Sequence, residues 1–85
     1  MPGKQRLGAA ILKARAGSWS EAHEIVQQDE RGELACWLHA VLHRQEGDLQ
    51  NASYWYARCG RRLRKALSIE DELKEIDEAL TRRQD

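Results

Sequence analysis

Residues 39–58 read H-A-V-L-H-R-Q-E-G-D-L-Q-N-A-S-Y-W-Y-A-R, and residues 9–28 read A-A-I-L-K-A-R-A-G-S-W-S-E-A-H-E-I-V-Q-Q. The later segment restates the earlier one at an offset of 30. Gly17 falls on Gly47, Ser18 on Asp48, Trp19 on Leu49, Ala22 on Ala52 and Val26 on Tyr56. A repeat of this length, broken at its middle by glycine, is the pattern of stacked helix–turn–helix units. One unit alone cannot bury its apolar face, so the copies must pack on each other. The copies also differ: the second holds His39, His43, Glu46, Tyr54 and Trp55, and the first is mostly small and aliphatic.

Apolar spacing extends the pattern outward. Leu7, Ala10, Ile11 and Ala14 form an i, i+3, i+4, i+7 stripe and predict a helix from about Lys4 to Ala16. Gly17 ends it, and Ser18 with Glu21 reads as a capping box for a second helix reaching about Gln28. In that helix Trp19, Ala22, Ile25 and Val26 face inward. A turn over 29–32 leads to a third helix over 33–46. Gly47 breaks the chain again, and Asp48 caps a fourth helix ending near Cys59.

After Gly60, residues 61–67 read as a short helix or the start of the last one. Ser68 caps a final helix to about Thr81, whose stripe is Ile69, Leu73, Ile76 and Leu80. Gln84 and Asp85 are expected to fray. No stretch alternates as a strand would. The fold class is therefore all-α, one domain over residues 1–85. It comprises two antiparallel helix hairpins, 3–29 and 33–60, and a C-terminal capping helix region over 61–83.

The third helix is apolar around most of its circumference. Leu34, Trp37, Leu38, Val41 and Leu42 cover nearly half the wheel, and Ala35 and Cys36 widen that arc. Only the Ala40–Arg44 edge is left for water, which places this helix at the centre of the domain.

Lys and Arg number 14 and Asp and Glu number 14, so the balance carries none of the positive excess of a nucleic-acid binder. The charge is nonetheless divided. Residues 1–65 hold eleven basic and seven acidic side chains, and residues 66–85 hold three and seven. The two surfaces should attract one another. No apolar run is long enough to span a membrane. The stretch 8–16 is interrupted by Lys13 and Arg15, so it does not read as a signal-peptide core, and a cytoplasmic location is expected. Cys36 and Cys59 lie at similar distances either side of Gly47. They are expected as buried thiols on facing helices rather than as a disulfide framework.

His39 and His43 stand one turn apart on one face, a spacing that lets two imidazoles reach a common metal ion. Glu46 continues the row as a candidate carboxylate ligand or general base beside His43. His23 lies on the second helix, one residue after Ala22. A metal set of His23, His39 and His43 is therefore possible, as is a metal-free acid–base pocket. A polar network of purely structural role would use the same residues. Asn51, Tyr54, Trp55 and Arg58 on the fourth helix, with Arg44 on the third, form a candidate ligand-binding surface bordering that row. Arg58, Arg61, Arg62, Arg64 and Lys65 make a basic cluster suited to phosphate. Without interleaved aromatic residues it does not point to nucleic acid.

The turn G-D-L-Q-N-A-S-Y-W-Y over 47–56, with its copy G-S-W-S-E-A-H-E-I-V over 17–26, resembles the turn of tetratricopeptide and Sel1-like repeats. Gly47, Asp48, Leu49, Ala52 and Tyr56 match position for position. The resemblance covers about residues 6–60 and implies antiparallel helix pairs in a right-handed stack, closed by the last helix as a cap. The offset of 30 is shorter than the tetratricopeptide period, and Lys13 and His43 replace its usual aromatic residue. The segments 22–27, 39–48 and 51–56 also resemble a group of short bacterial and fungal proteins without an assigned activity.

These readings lead first to a small protein- or peptide-binding or scaffold module with no cofactor. Homodimerisation would cover the helix-one side and the three tryptophans. The alternative is a minimal metal-dependent or acid–base enzyme or small-ligand site built on His23, His39, His43 and Glu46, with zinc as the divalent metal.

Overall fold

A computed structural model describes residues 2–28 and 32–82, with side chains from Arg6 onward. The expected turn at 29–32 therefore falls almost wholly outside the described residues, as do Gln84 and Asp85. Among the described residues there are five helices and no strand: α1 (Pro2–Arg15), α2 (Trp19–Gln27), α3 (Glu33–Gln45), α4 (Leu49–Arg58) and α5 (Ile69–Arg82). None is long and apolar enough to cross a membrane.

Glycine sets three of the helix ends. Gly17, Gly47 and Gly60 take φ of 83°, 85° and 73°, a region closed to most side chains. At Gly17 the glycine N–H donates to Ala14 O at 3.1 Å and the Ser18 N–H donates to Lys13 O at 2.8 Å. The same pair recurs at Gly47, where Asp48 N–H reaches His43 O at 2.9 Å, and at Gly60, where Arg61 N–H reaches Tyr56 O at 2.8 Å. Each is a Schellman closure, which satisfies carbonyls that the helix end leaves open. The caps that follow are unequal. Asp48 accepts from the Asn51 N–H at 3.2 Å, and Ser68 Oγ accepts from the Asp71 N–H at 3.0 Å. Ser18 makes no side-chain cap, and Glu21 faces Lys13 at 3.4 Å instead of closing a capping box.

α3 touches all four other helices. Every residue from Leu34 to His43 is buried. The edge expected to face water is covered as well: Ala40 is fully buried, and the Arg44 side chain is 11% exposed. α5 covers it, packing on α3 and on α1. Trp37 is buried, and Trp19 and Trp55 are half-buried against the core, so cover for the three indoles comes from within the chain.

The cover over Arg44 is a completely buried carboxylate. Glu72 of α5 is 0% exposed. It accepts from Arg44 Nη1 at 2.9 Å, from Trp37 Nε1 at 2.9 Å and from the Tyr56 hydroxyl, which lies 2.8 and 2.7 Å from its two oxygens. Arg44 also donates through Nη2 to Leu67 O. Burial and the Glu72 carboxylate both push the Tyr56 phenol well above its ordinary pKa, so it stays a donor. The opposed charges of the two ends of the sequence thus meet in specific pairs, joined by Arg15–Glu70 at 3.3 Å and Arg64–Glu75 at 2.8 Å.

Residues 61–64 are not helical, contrary to the reading of 61–67 as a short helix, and only a turn precedes Ser68. The arginines are drawn in different directions. Arg61 lies over the Trp37 ring at 3.5 Å from its centroid, and Arg64 turns to Glu75. The Leu67 carbonyl is taken by Arg44.

Two substitutions test this framework. Gly47→Ala meets no atom within 4 Å of the added Cβ, so its cost is backbone strain alone, about 1–2 kcal/mol in urea unfolding. Glu72→Ala strands a buried guanidinium, a phenol and an indole N–H, and should cost about 3–5 kcal/mol. A loss below about 1 kcal/mol would show that Glu72 is not a structural centre.

Candidate functional site

The face of α3 opposite Glu72 carries the histidines. His39 and His43 rise from successive turns, and His23 comes from α2, so three imidazoles meet between two helices. His23 Nε2 and His39 Nε2 are 3.0 Å apart. The His23 ring meets His39 and His43 edge-on, with centroids at 4.7 and 5.4 Å, and His39 lies nearly parallel to His43 at 5.0 Å. One ring nitrogen from each histidine lies within 4.8 Å of the other two.

Indoles wall the cluster on two sides. Trp19 stacks on His23 at 4.5 Å with 12° between planes, and its Nε1 donates to Leu42 O, which fixes the ring. Trp55 stacks on His39 at 3.8 Å and 13°, and the Arg58 guanidinium lies over the outer side of Trp55 at 4.9 Å. These flat apolar walls remove water and disfavour imidazolium. Burial first, then the positive charge His23 and His43 would carry, and then Arg58, lower the His39 pKa from 6.5 to about 4. Burial lowers that of His23, helped by His43 and opposed by Glu46.

Glu46 follows α3 and reaches back one turn. Its Oε1 is 2.7 Å from His43 Nδ1. A carboxylate there holds the proton on Nδ1 and leaves Nε2 as the basic nitrogen. His43, Glu46 and Asp48 form a second convergent group within 4.8 Å, with both carboxylates exposed.

The sequence-predicted site residues therefore divide. His23, His39, His43 and Glu46 come together. Trp55 joins them as a wall, and Arg58 backs it. Tyr54 stands outside, 54% exposed, accepting from Arg58 Nη1 at 3.3 Å. Asn51 is spent on the cap: its Nδ2 donates to Asp48 Oδ2 at 3.2 Å. Arg44 lies on the opposite side of α3, held by Glu72, and is no part of this surface. Trp19 was read only as an inward residue. Its spacing of one helical turn before His23 was the signal that it would stack there. Cys36 and Cys59 do approach each other, each thiol donating to Trp55 O at 3.4 Å. Burial, and then Cys36, push the Cys59 thiol up to about 12, which makes it a poor nucleophile.

No protein-family model, no curated protein and no solved structure matches the chain.

The walls have a consequence for stability. With the folded pKa of His39 below its unfolded value, the neutral form is the one the fold favours. Its contribution is complete above pH 6.5 and is lost as pH falls toward 4. With chelator present, unfolding free energy should drop by on the order of 2 kcal/mol between about pH 6.5 and 5. In His39→Gln the profile should be flatter, and equal slopes would reject the assignment.

Proposed function

We propose that this protein is a small helical metal-binding domain. In this reading His23, His39 and His43 ligate one divalent late transition metal, zinc in the first place, and Glu46 orients His43. The observation that carries it is the convergence of three imidazole nitrogens within 4.8 Å between tryptophan walls that keep His23 and His39 in the neutral form a metal requires. Metal–nitrogen bonds of about 2.0–2.1 Å in a tetrahedral site place ligand nitrogens about 3.3 Å apart. The observed 3.0 Å between His23 and His39 is within a few tenths of that value.

A structural network is the competing use of these residues, and magnitudes weigh against it. Without metal, one of the two facing Nε2 atoms must carry a proton. His39 Nδ1 is buried without a partner, whichever tautomer is chosen. An orphaned buried polar atom costs about 1–3 kcal/mol. That Nδ1 stays without a partner when Nε2 ligates a metal, but the free energy of metal binding offsets the cost, which a network without metal does not. Three neutral nitrogens suit zinc, and three protein ligands leave a fourth position for water or an incoming group. Acid–base chemistry beside the ion would then fall to Glu46, since His43 gives Nε2 to the metal and Nδ1 to Glu46.

A partner-binding role is the second reading. It rests on the outer face of α4, where Tyr54 is 54% exposed beside Arg58. Such a surface would dock a peptide or protein without using the histidines.

The metal reading is tested by dialysis against zinc at about micromolar concentration, followed by metal analysis. One zinc per chain is expected, and cobalt should give the strong visible absorption of a four-coordinate ion. His23→Ala, at a half-exposed position, should abolish retention while circular dichroism stays helical. Glu46→Gln should weaken affinity about tenfold to a hundredfold. Wild-type protein that retains no metal would overturn the reading.

A further inference from the structure

The basic run over 61–65 lies away from the histidines, between α4 and α5. Below it is a pocket of about 250 Å³ lined by Arg61, Arg62, Arg64, Trp37, Tyr56 and Glu72. Its size is below that of ordinary small-molecule sites, so it suits a compact group. Three arginines line it against one glutamate. That carboxylate is already held by Arg44, Trp37 and Tyr56.

Two of the arginines have unused capacity. Arg61 is spread on the Trp37 ring and lies 3.5 Å from Glu33 through Nη2, yet its Nε–H is buried and has no acceptor. A buried donor left in this state calls for an oxygen from elsewhere. Arg62 is exposed and forms no ion pair among the described residues. Arg64 completes the ring from its bridge to Glu75. Planar forks arranged around a small space match the oxygens of a tetrahedral oxyanion.

We propose that this loop binds the phosphate group of a small phosphorylated molecule, with Arg61 Nε and the Arg62 guanidinium as its donors. A nucleic-acid strand fits less well. The Trp37 ring is already covered by Arg61 and Tyr56 is 1% exposed, so no aromatic face is open for base stacking.

The test is calorimetric titration of the intact protein with inorganic phosphate in about 0.15 M salt, with a short oligothymidylate as a separate arm. Saturable one-to-one binding of phosphate below about 1 mM is expected. Arg62→Gln should weaken it about tenfold without affecting folding, and Arg61→Lys, which keeps the charge but loses Nε, should do the same. Arg82→Gln, at the far end of α5, should leave it unchanged. The proposal fails if phosphate does not saturate. It fails equally if Arg82→Gln weakens binding as much as Arg62→Gln, or if oligothymidylate binds more tightly than phosphate.

Discussion

Glu72 is where α3, α4 and α5 are joined. Its carboxylate has no exposure and binds Arg44 and Trp37 from α3 and Tyr56 from α4. A lone buried charge is costly, and a buried ion pair with satisfied remaining lone pairs need not be. Here three donors, from Arg44, Trp37 and Tyr56, complete the set. The geometry that achieves this fixes how α3 is rotated. With Arg44 and Trp37 turned toward α5, His39 and His43 are turned toward α2 and Trp55. The histidine cluster and the Glu72 centre are thus two faces of one rotational setting.

The glycine turns supply the other constraint. Each closes the preceding helix within two residues, and across the first two of them α1 packs on α2 and α3 on α4. The third such turn, at Gly60, sends the chain into an arginine loop rather than another helix. Both proposed sites therefore depend on the same local device. One uses helix faces that the turns press together, and the other uses the loop that the last turn releases.

Much of this was legible from the residues. Periodicity located the helices because apolar burial dominates, and each of the three glycine stops was readable because positive φ admits little else. The i, i+4 spacing of His39 and His43 fixed their common face. What escaped was tertiary. Nothing local separates Glu72 from Glu70 and Asp71 in the same helical turn, since only the packing of α5 decides which carboxylate is buried. Arg44 was misplaced for the same reason. Residues 61–67 read as helical by composition, but no sequence rule reports that Trp37 and Arg44 compete for their arginines and carbonyl. Ser18 carried a capping signature, yet Glu21 found Lys13 instead.

Ten consecutive residues of α3, from Leu34 to His43, are buried. An ordinary surface helix has a side on which substitutions accumulate at little cost, and so its sequence can drift while its fold persists. α3 has no such side. A larger residue at Ala35 or Ala40 would push on a neighbour, and a smaller one at Leu38 or Trp37 would leave a void. Change in this stretch must come in compensating pairs, one member on α3 and the other on whichever helix faces it. The middle of the chain is thus the part least free to vary, and the outer faces of the other four helices hold most of its freedom.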